Sequence, residues 1–223
     1  MKPTHKTTLL LTALLVALGL NSCNLNSDPD NGAVMFYADI VSSHLQPDST
    51  LYFEQILTND RGSVMLYPSP AIKAPISEGA RTFIQYSILS KESEEAMTIA
   101  LYQVSTIRHD TIVATSPDTI EAYPNHPLQL NTLWRTGNYL NLDFSIEFYS
   151  TPHRMELFYS PTQASSDTLD VILRHDNNGD AVGYWTQTFA SFYIPDFNKY
   201  KALRLYANME NSANDHVVIA IQE

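Results

Sequence analysis

Cysteine is almost missing from this chain: among 223 residues there is one, Cys23. That excludes a disulfide framework, a zinc–thiolate site and an internal redox pair. Basic residues are scarce too, with 13 Lys and Arg against 24 Asp and Glu and a net charge of −11. Binding to nucleic-acid phosphates needs clustered Lys and Arg, so nucleic acid is excluded as a partner. An anionic lipid surface is an equally poor match. Only seven glycines are present, and none forms a phosphate-cradling loop. There is no Gly-x-Ser-x-Gly elbow and no His-Glu-x-x-His pair. Long apolar runs are missing as well. The longest, Leu9 to Leu20, is too short to cross a bilayer core of about 30 Å as a helix.

That short run has a specific setting. Lys2 and Lys6 precede it, no acid interrupts it, and Leu20-Asn21-Ser22-Cys23 follows. A basic start, a short apolar core and a small residue before the cut are what secretion machinery reads. Leu20 and Ser22 before the cysteine resemble the lipobox of bacterial lipoproteins, with Asn21 departing from it. The resemblance implies removal of residues 1–22 and acylation of Cys23, which then begins the mature chain. Losing Lys2 and Lys6 moves the net charge from −11 to near −13. With the thiol used for lipid, stability must come from core burial. The lipid is then the expected link to the membrane, probing outward through a polar tether at 23–32.

What the chain has in abundance is strand formers. Asn141 to Phe148 is the clearest case, with Leu142, Phe144, Ile146 and Phe148 alternating with Asn141, Asp143, Ser145 and Glu147. A period of two puts the first set in a core and the second in water. Similar runs lie at 34–41, 63–67, 81–89, 97–105, 111–114, 154–159, 168–175, 189–194, 202–206 and 216–222. Turn chemistry at Asn59-Asp60-Arg61-Gly62 and Asp176-Asn177-Asn178-Gly179-Asp180 separates several of them. Lys91 to Ala100 could begin as a helix before returning to strand composition. Short strands between turns mean a sandwich or a barrel. Pro117, Pro124 and Pro127 interrupt sheet pairing, so the reading is a first domain at 33–117, a linker at 118–131 and a second domain at 132–223.

The second half resembles the carboxy-terminal domain of NigD-like lipoproteins from Bacteroides-type bacteria. The residues that carry this are Trp134, Gly137 to Ile146, His153 to Leu157, Leu173 to Asp176 with Asp180, Ser191 to Pro195, and Leu203 to Leu205. The first half fits through Thr98 to Ile107 and on to Ala114. The resemblance implies an all-β chain, a small OB-like barrel followed by a β-sandwich, both antiparallel. It also implies an immunity role against bacteriocins for its founding member, a role that fold alone does not carry over.

Two polar or aromatic groups stand out as candidates. His175, Asp176 and Asp180 could form an acid–base or metal site. Asp176, Asn178 and Asp180 alternate like the start of a calcium loop, but Ala181 and Gln187 stand where such a loop needs glycine and glutamate. The competing reading is a strand end running into an Asx turn. The chain also has nine Phe, two Trp and thirteen Tyr. Trp185 beside Tyr184 could be a platform for sugars, or could pack in a core or domain interface; Trp134 is expected in the core. The function expected is binding rather than catalysis, with no cofactor, in the cell envelope, where a lipid-anchored chain is expected at the outer membrane with its periplasmic or surface face left open. A protein partner comes first and a surface glycan second, with an unrecognised hydrolase as the remaining class.

Overall fold

The barrel is built from strands whose alternate residues point inward. In the computed structural model, which describes residues 34–57, 62–161 and 167–221, these are β1 (Tyr37–Leu45), β2 (Leu51–Ile56), β3 (Ser63–Pro68), β4 (Arg81–Lys91) and β5 (Ala96–Thr106). They close in the order β1-β2-β3-β5-β4. Leu51 and Phe53, then Val64 and Leu66, alternate with less buried neighbours and fill the interior with Val41, Ile84 and Ile99. The β4–β5 ladder shifts register between Gln85 and Tyr86 and again between Ile88 and Ser90. Such bulges bend strands and let a small barrel close. The segment 91–100 holds no helix: it is a turn and the start of β5.

The chain then enters the sandwich earlier than its prolines suggested. Ile107 donates its N–H to Arg81 O at 3.0 Å, and β6 (Arg108–Thr111) and β7 (Val113–Ala114) already pair with sandwich strands. The proline-rich stretch starts a helix, α1 (Pro117–Ala122), instead of a linker. Pro117 sits in its first turn and the Ser116 side chain accepts from the Thr119 N–H. Proline is tolerated there because that N–H has no helical partner. Its apolar contact is Ile120, 1% exposed. Strand β8 (Gln129–Thr136) follows, starting within the last residues of the stretch read as linker.

The remaining strands are β9 (Tyr139–Phe148), β10 (Arg154–Tyr159), β11 (Thr168–Asp176), β12 (Tyr184–Tyr193), β13 (Ala202–Tyr206) and β14 (His216–Ala220). One sheet has the order β14-β13-β11-β10-β7 and the other β6-β12-β9-β8. Leu140, Leu142, Phe144 and Phe192 from one meet Leu157, Val171, Leu173, Leu203 and Leu205 from the other. The architecture is thus the all-β barrel and sandwich, but not antiparallel throughout. Pairs β3–β5, β7–β10, β11–β13 and β6–β12 are parallel. The reason is topological for β11–β13: the chain crosses to the other sheet as β12 before returning in the original direction.

Met35–Glu223 clusters as one compact unit that holds both barrel and sandwich. Arg81 is the centre of that contact. Although 1% exposed, it donates from Nη1 to Ser42 Oγ (3.0 Å) and from Nη2 to Ile40 O (3.3 Å) in the barrel. Toward the sandwich it donates from Nε to Ser191 Oγ (3.1 Å) and from Nη2 to Asn141 Oδ1 (3.2 Å) and Thr136 Oγ1 (3.4 Å). Burial pushes its pKa down to about 10, which leaves it charged at neutral pH. Phe83 stacks on Phe189 beside it, centroids 4.6 Å apart. A stacked pair adds roughly 1 kcal/mol beyond its buried area. Asn141, expected in water from its strand parity, is fully buried under the barrel. Cys23, the tether and Asn59 to Arg61 lie outside the described residues. No described helix is long and apolar enough to cross a membrane.

Candidate functional site

The histidine–aspartate group forms at one end of the sandwich. His175 is the last but one residue of β11 and is 2% exposed. Its Nδ1 faces the carbonyl oxygens of His126 (3.3 Å) and Pro127 (3.2 Å). Carbonyls only accept, so this nitrogen holds the proton and donates. Nε2 of His175 therefore accepts from Nδ1 of His153, 2.8 Å away. Nε2 of His153 faces Asp180 Oδ2 at 3.3 Å, with both side chains nearly fully buried. Asp180 also accepts from the backbone N–H groups of Tyr149 (2.8 Å), Ser150 (3.2 Å) and Thr151 (2.9 Å).

This arrangement explains the electrostatics. Burial alone would raise the Asp180 pKa, but the three backbone donors and His153 outweigh it and hold the carboxyl well below the usual range. Burial, then the neighbouring His153, pushes His175 down to about 4. Both nitrogens of His175 and the carboxylate of Asp180 are occupied by the protein itself. Among the described residues no group of three or more His, Cys, Asp or Glu is placed to hold a metal. The cluster is a brace that ties the β9–β10 connection to the β11–β12 turn. Asp176 is not part of it: its Oδ1 accepts from the Asn178 N–H at 2.8 Å in an Asx turn. Sequence reasoning joined His175 and Asp180 but missed His153 and His126, which lie distant in sequence and carry no spacing signal.

A cleft opens where the barrel overhangs the outer face of the β6-β12-β9-β8 sheet. Strand register sets the rows on that face. Trp134, Asn141 and Ser191 form the row locked to Arg81. Thr132, Asp143 and Phe189 come next, then Gln129, Ser145 and Gln187, then Glu147 with Trp185. The barrel wall adds Asp39, Phe83, Gln85 and Gln103, enclosing about 570 Å³. Asp143 accepts from Gln187 Nε2 on both oxygens (2.9 Å each) and from Asn131 Nδ2 (2.9 Å). Asp39 accepts from the Tyr86 hydroxyl at 2.8 Å; its burial raises its pKa against that bond. Among the described residues no lysine or arginine lines the cleft.

Trp134, expected in the core, is half-buried in the cleft wall. Trp185, which the sequence leaves between an exposed platform and a core or interface, is 39% exposed on the same sheet face, and Tyr184 beside it is 84% exposed. Gly183 sets the start of β12, because a Cβ there would collide with the Phe148 carbonyl. Periodicity paired the residues of this face correctly; that a second domain would roof part of it was not visible in the pattern.

Residues 111–222 match the NigD-like C-terminal beta sandwich domain. Among solved structures, a DUF1344 protein of unknown function from Bacteroides vulgatus is similar over 85% of this chain and 91% of its own, with 21% identity and a TM-score of 0.67. A NigD-like immunity protein from Bacteroides caccae is similar over 84% of this chain and 92% of its own, at 13% identity and a TM-score of 0.59. A protein described as a lipoprotein from Bacteroides fragilis is similar over 85% and 99%, at 14% identity and a TM-score of 0.59. These identities carry the fold alone. No curated protein matches the chain. The matched sandwich spans half of the chain, and on that ground the chain belongs to the NigD-like family.

Proposed function

We propose that this chain is a non-catalytic binding protein of the cell envelope, held at the outer membrane by acyl groups on Cys23 and recognising its partner in the cleft between barrel and sandwich. The observation that carries this reading is the cleft itself: its two walls belong to different domains, and the buried Arg81 fixes them against each other. Rigid walls keep the ordering cost of binding low. The other polar cluster, around His175, has its hydrogen-bonding groups consumed internally and offers nothing to a substrate. The lipoprotein description of the Bacteroides fragilis structure supports the envelope location. A photo-crosslinking residue at the exposed position 147, on the same sheet face one row from Gln187, tests the reading in intact cells, since it reports what occupies the cleft.

A specific second version is immunity, the role named for the Bacteroides caccae structure. The acidic balance of the chain supports it, because a negative field steers a cationic toxin toward the tethered protein. Deleting the chain and challenging cells with a cationic bacteriocin tests it. Increased killing supports immunity; unchanged sensitivity contradicts it.

A further inference from the structure

We infer that the interdomain cleft is a binding groove for an uncharged oligosaccharide, laid along the strands of the sheet from Trp134 toward Trp185. This rests on the reading of the cleft as the recognition site and names its ligand class.

Sugars have two kinds of surface. Ring C–H groups make weakly apolar faces that pack on aromatic rings, and the hydroxyls both donate and accept. A site for them needs flat aromatic surface next to side chains that can do both, and the cleft has that combination. Trp134 and the stacked Phe83–Phe189 pair supply the rings. Gln85, Gln103 and Gln187 supply amides, each with two donors and an acceptor. Asp143 holds Gln187 Nε2 in place with both oxygens at 2.9 Å, so this amide is oriented before any ligand arrives. Along β9 the rows run from Asn141 to Glu147, roughly 20 Å at the rise of an extended strand. That length suits several linked sugars, with the exposed Trp185 at the far end.

Charge and backbone geometry separate the alternatives. Asp39 and Asp143 line the cleft, with no basic side chain among the described residues that line it, so phosphorylated, sulfated or uronic sugars meet repulsion. Arg81 is buried and bonds the protein from each of its three nitrogens. An extended peptide gains its affinity by pairing with a strand edge, but the floor here is a sheet face, with β9 paired on both sides. A lysine-rich segment is the one alternative that the two carboxylates would attract, and its binding would fall with salt whereas that of a neutral sugar would not.

The test is affinity electrophoresis and calorimetry of the mature chain against four neutral polysaccharides (laminarin, galactomannan, arabinoxylan and yeast mannan), with polygalacturonate and a lysine-rich peptide alongside. The expected result is binding to at least one neutral polymer, unchanged in 0.5 M salt. Trp134→Ala and the exposed-site variant Gln187→Ala should each weaken it ten-fold or more, Trp185→Ala a few-fold, and Arg204→Ala on the opposite sheet not at all. Gln187→Ala should melt like the parent, which separates binding from folding. The inference is overturned by no binding to any neutral polymer, by equal binding to polygalacturonate, by binding unaffected in Gln187→Ala, or by salt-sensitive binding of the peptide alone. If the polymers fail while a crosslinker at position 147 captures a protein in cells, only the ligand class is wrong. If position 147 captures nothing, the cleft reading fails with it.

Discussion

The guanidinium carbon of Arg81 lies 4.2 Å from the centre of the Tyr139 ring, a barrel cation held over a sandwich aromatic. Arg81 is at the start of β4 and Tyr139 at the start of β9, so the contact joins the first residues of two strands from different domains. A cation over a ring, desolvated as here, is worth about 2 kcal/mol. It completes an environment in which every donor group of the side chain has an oxygen partner and no carboxylate is bonded to it.

Replacing Arg81 therefore strands buried acceptors as well as removing a contact. Arg81→Leu should lower unfolding free energy by about 2–4 kcal/mol, since a buried acceptor left without its donor costs roughly 1–3 kcal/mol. Urea denaturation followed by tryptophan fluorescence checks this. The transition should also broaden or split, because barrel and sandwich lose their shared centre. A loss under 1 kcal/mol with a single sharp transition contradicts the interlocking role.

His175 makes stability fall with acid. Its folded pKa is about 4 against an ordinary value of 6.5, so the unfolded chain takes up a proton that the folded chain refuses. The cost is nil above pH 6.5 and grows as pH falls toward 4, reaching about 3 kcal/mol at the conversion of 1.36 kcal/mol per unit. Urea midpoints between pH 7.5 and 4 should decline, and His175→Gln should lose that part of the decline. Identical pH profiles for the two proteins contradict the assignment.

Asp180 acts below that window. Its folded pKa is depressed, so its contribution is present above the ordinary carboxylate range and is lost as pH drops through the folded value. Asp180→Ala should lower the melting temperature and speed amide exchange at Tyr149, Ser150 and Thr151, whose N–H groups it caps. Calcium should give no heat of binding in either protein. Slow exchange retained in the variant, or a calcium heat lost with it, contradicts the brace.

Cys23 should be the attachment point of the chain. Cells given an alkyne-bearing palmitate should label the wild type, and Cys23→Ala should abolish the label and release the protein into the soluble fraction. An unlabelled wild type, or label surviving the substitution, contradicts lipid attachment there.

How much of this was legible in the sequence varies by element for physical reasons. Strands β10 and β13 matched their sequence spans because alternation and turn signals agree there. Strand β2 was overlooked, since six residues with one acid gave a short pattern. Strand β8 was hidden by nearby prolines, which prove to start a helix and flank a strand instead of breaking a sheet. Parity put Asn141, Asp143, Ser145 and Glu147 on one face correctly, yet it carries no information about what covers that face. Arg81 and Trp134 were consequently misread or passed over: their roles depend on docking between domains, which leaves no periodic trace.

The central claim is that the cleft between the two domains is where this protein meets its partner, and photo-crosslinking in intact cells tests it most directly. A benzoylphenylalanine at the exposed position 147, one row from Gln187 on the same sheet face, should give a defined adduct that disappears in Trp134→Ala, whereas the same residue at position 204 on the opposite sheet should give none. Equal capture from both positions, or capture from 204 alone, contradicts the account.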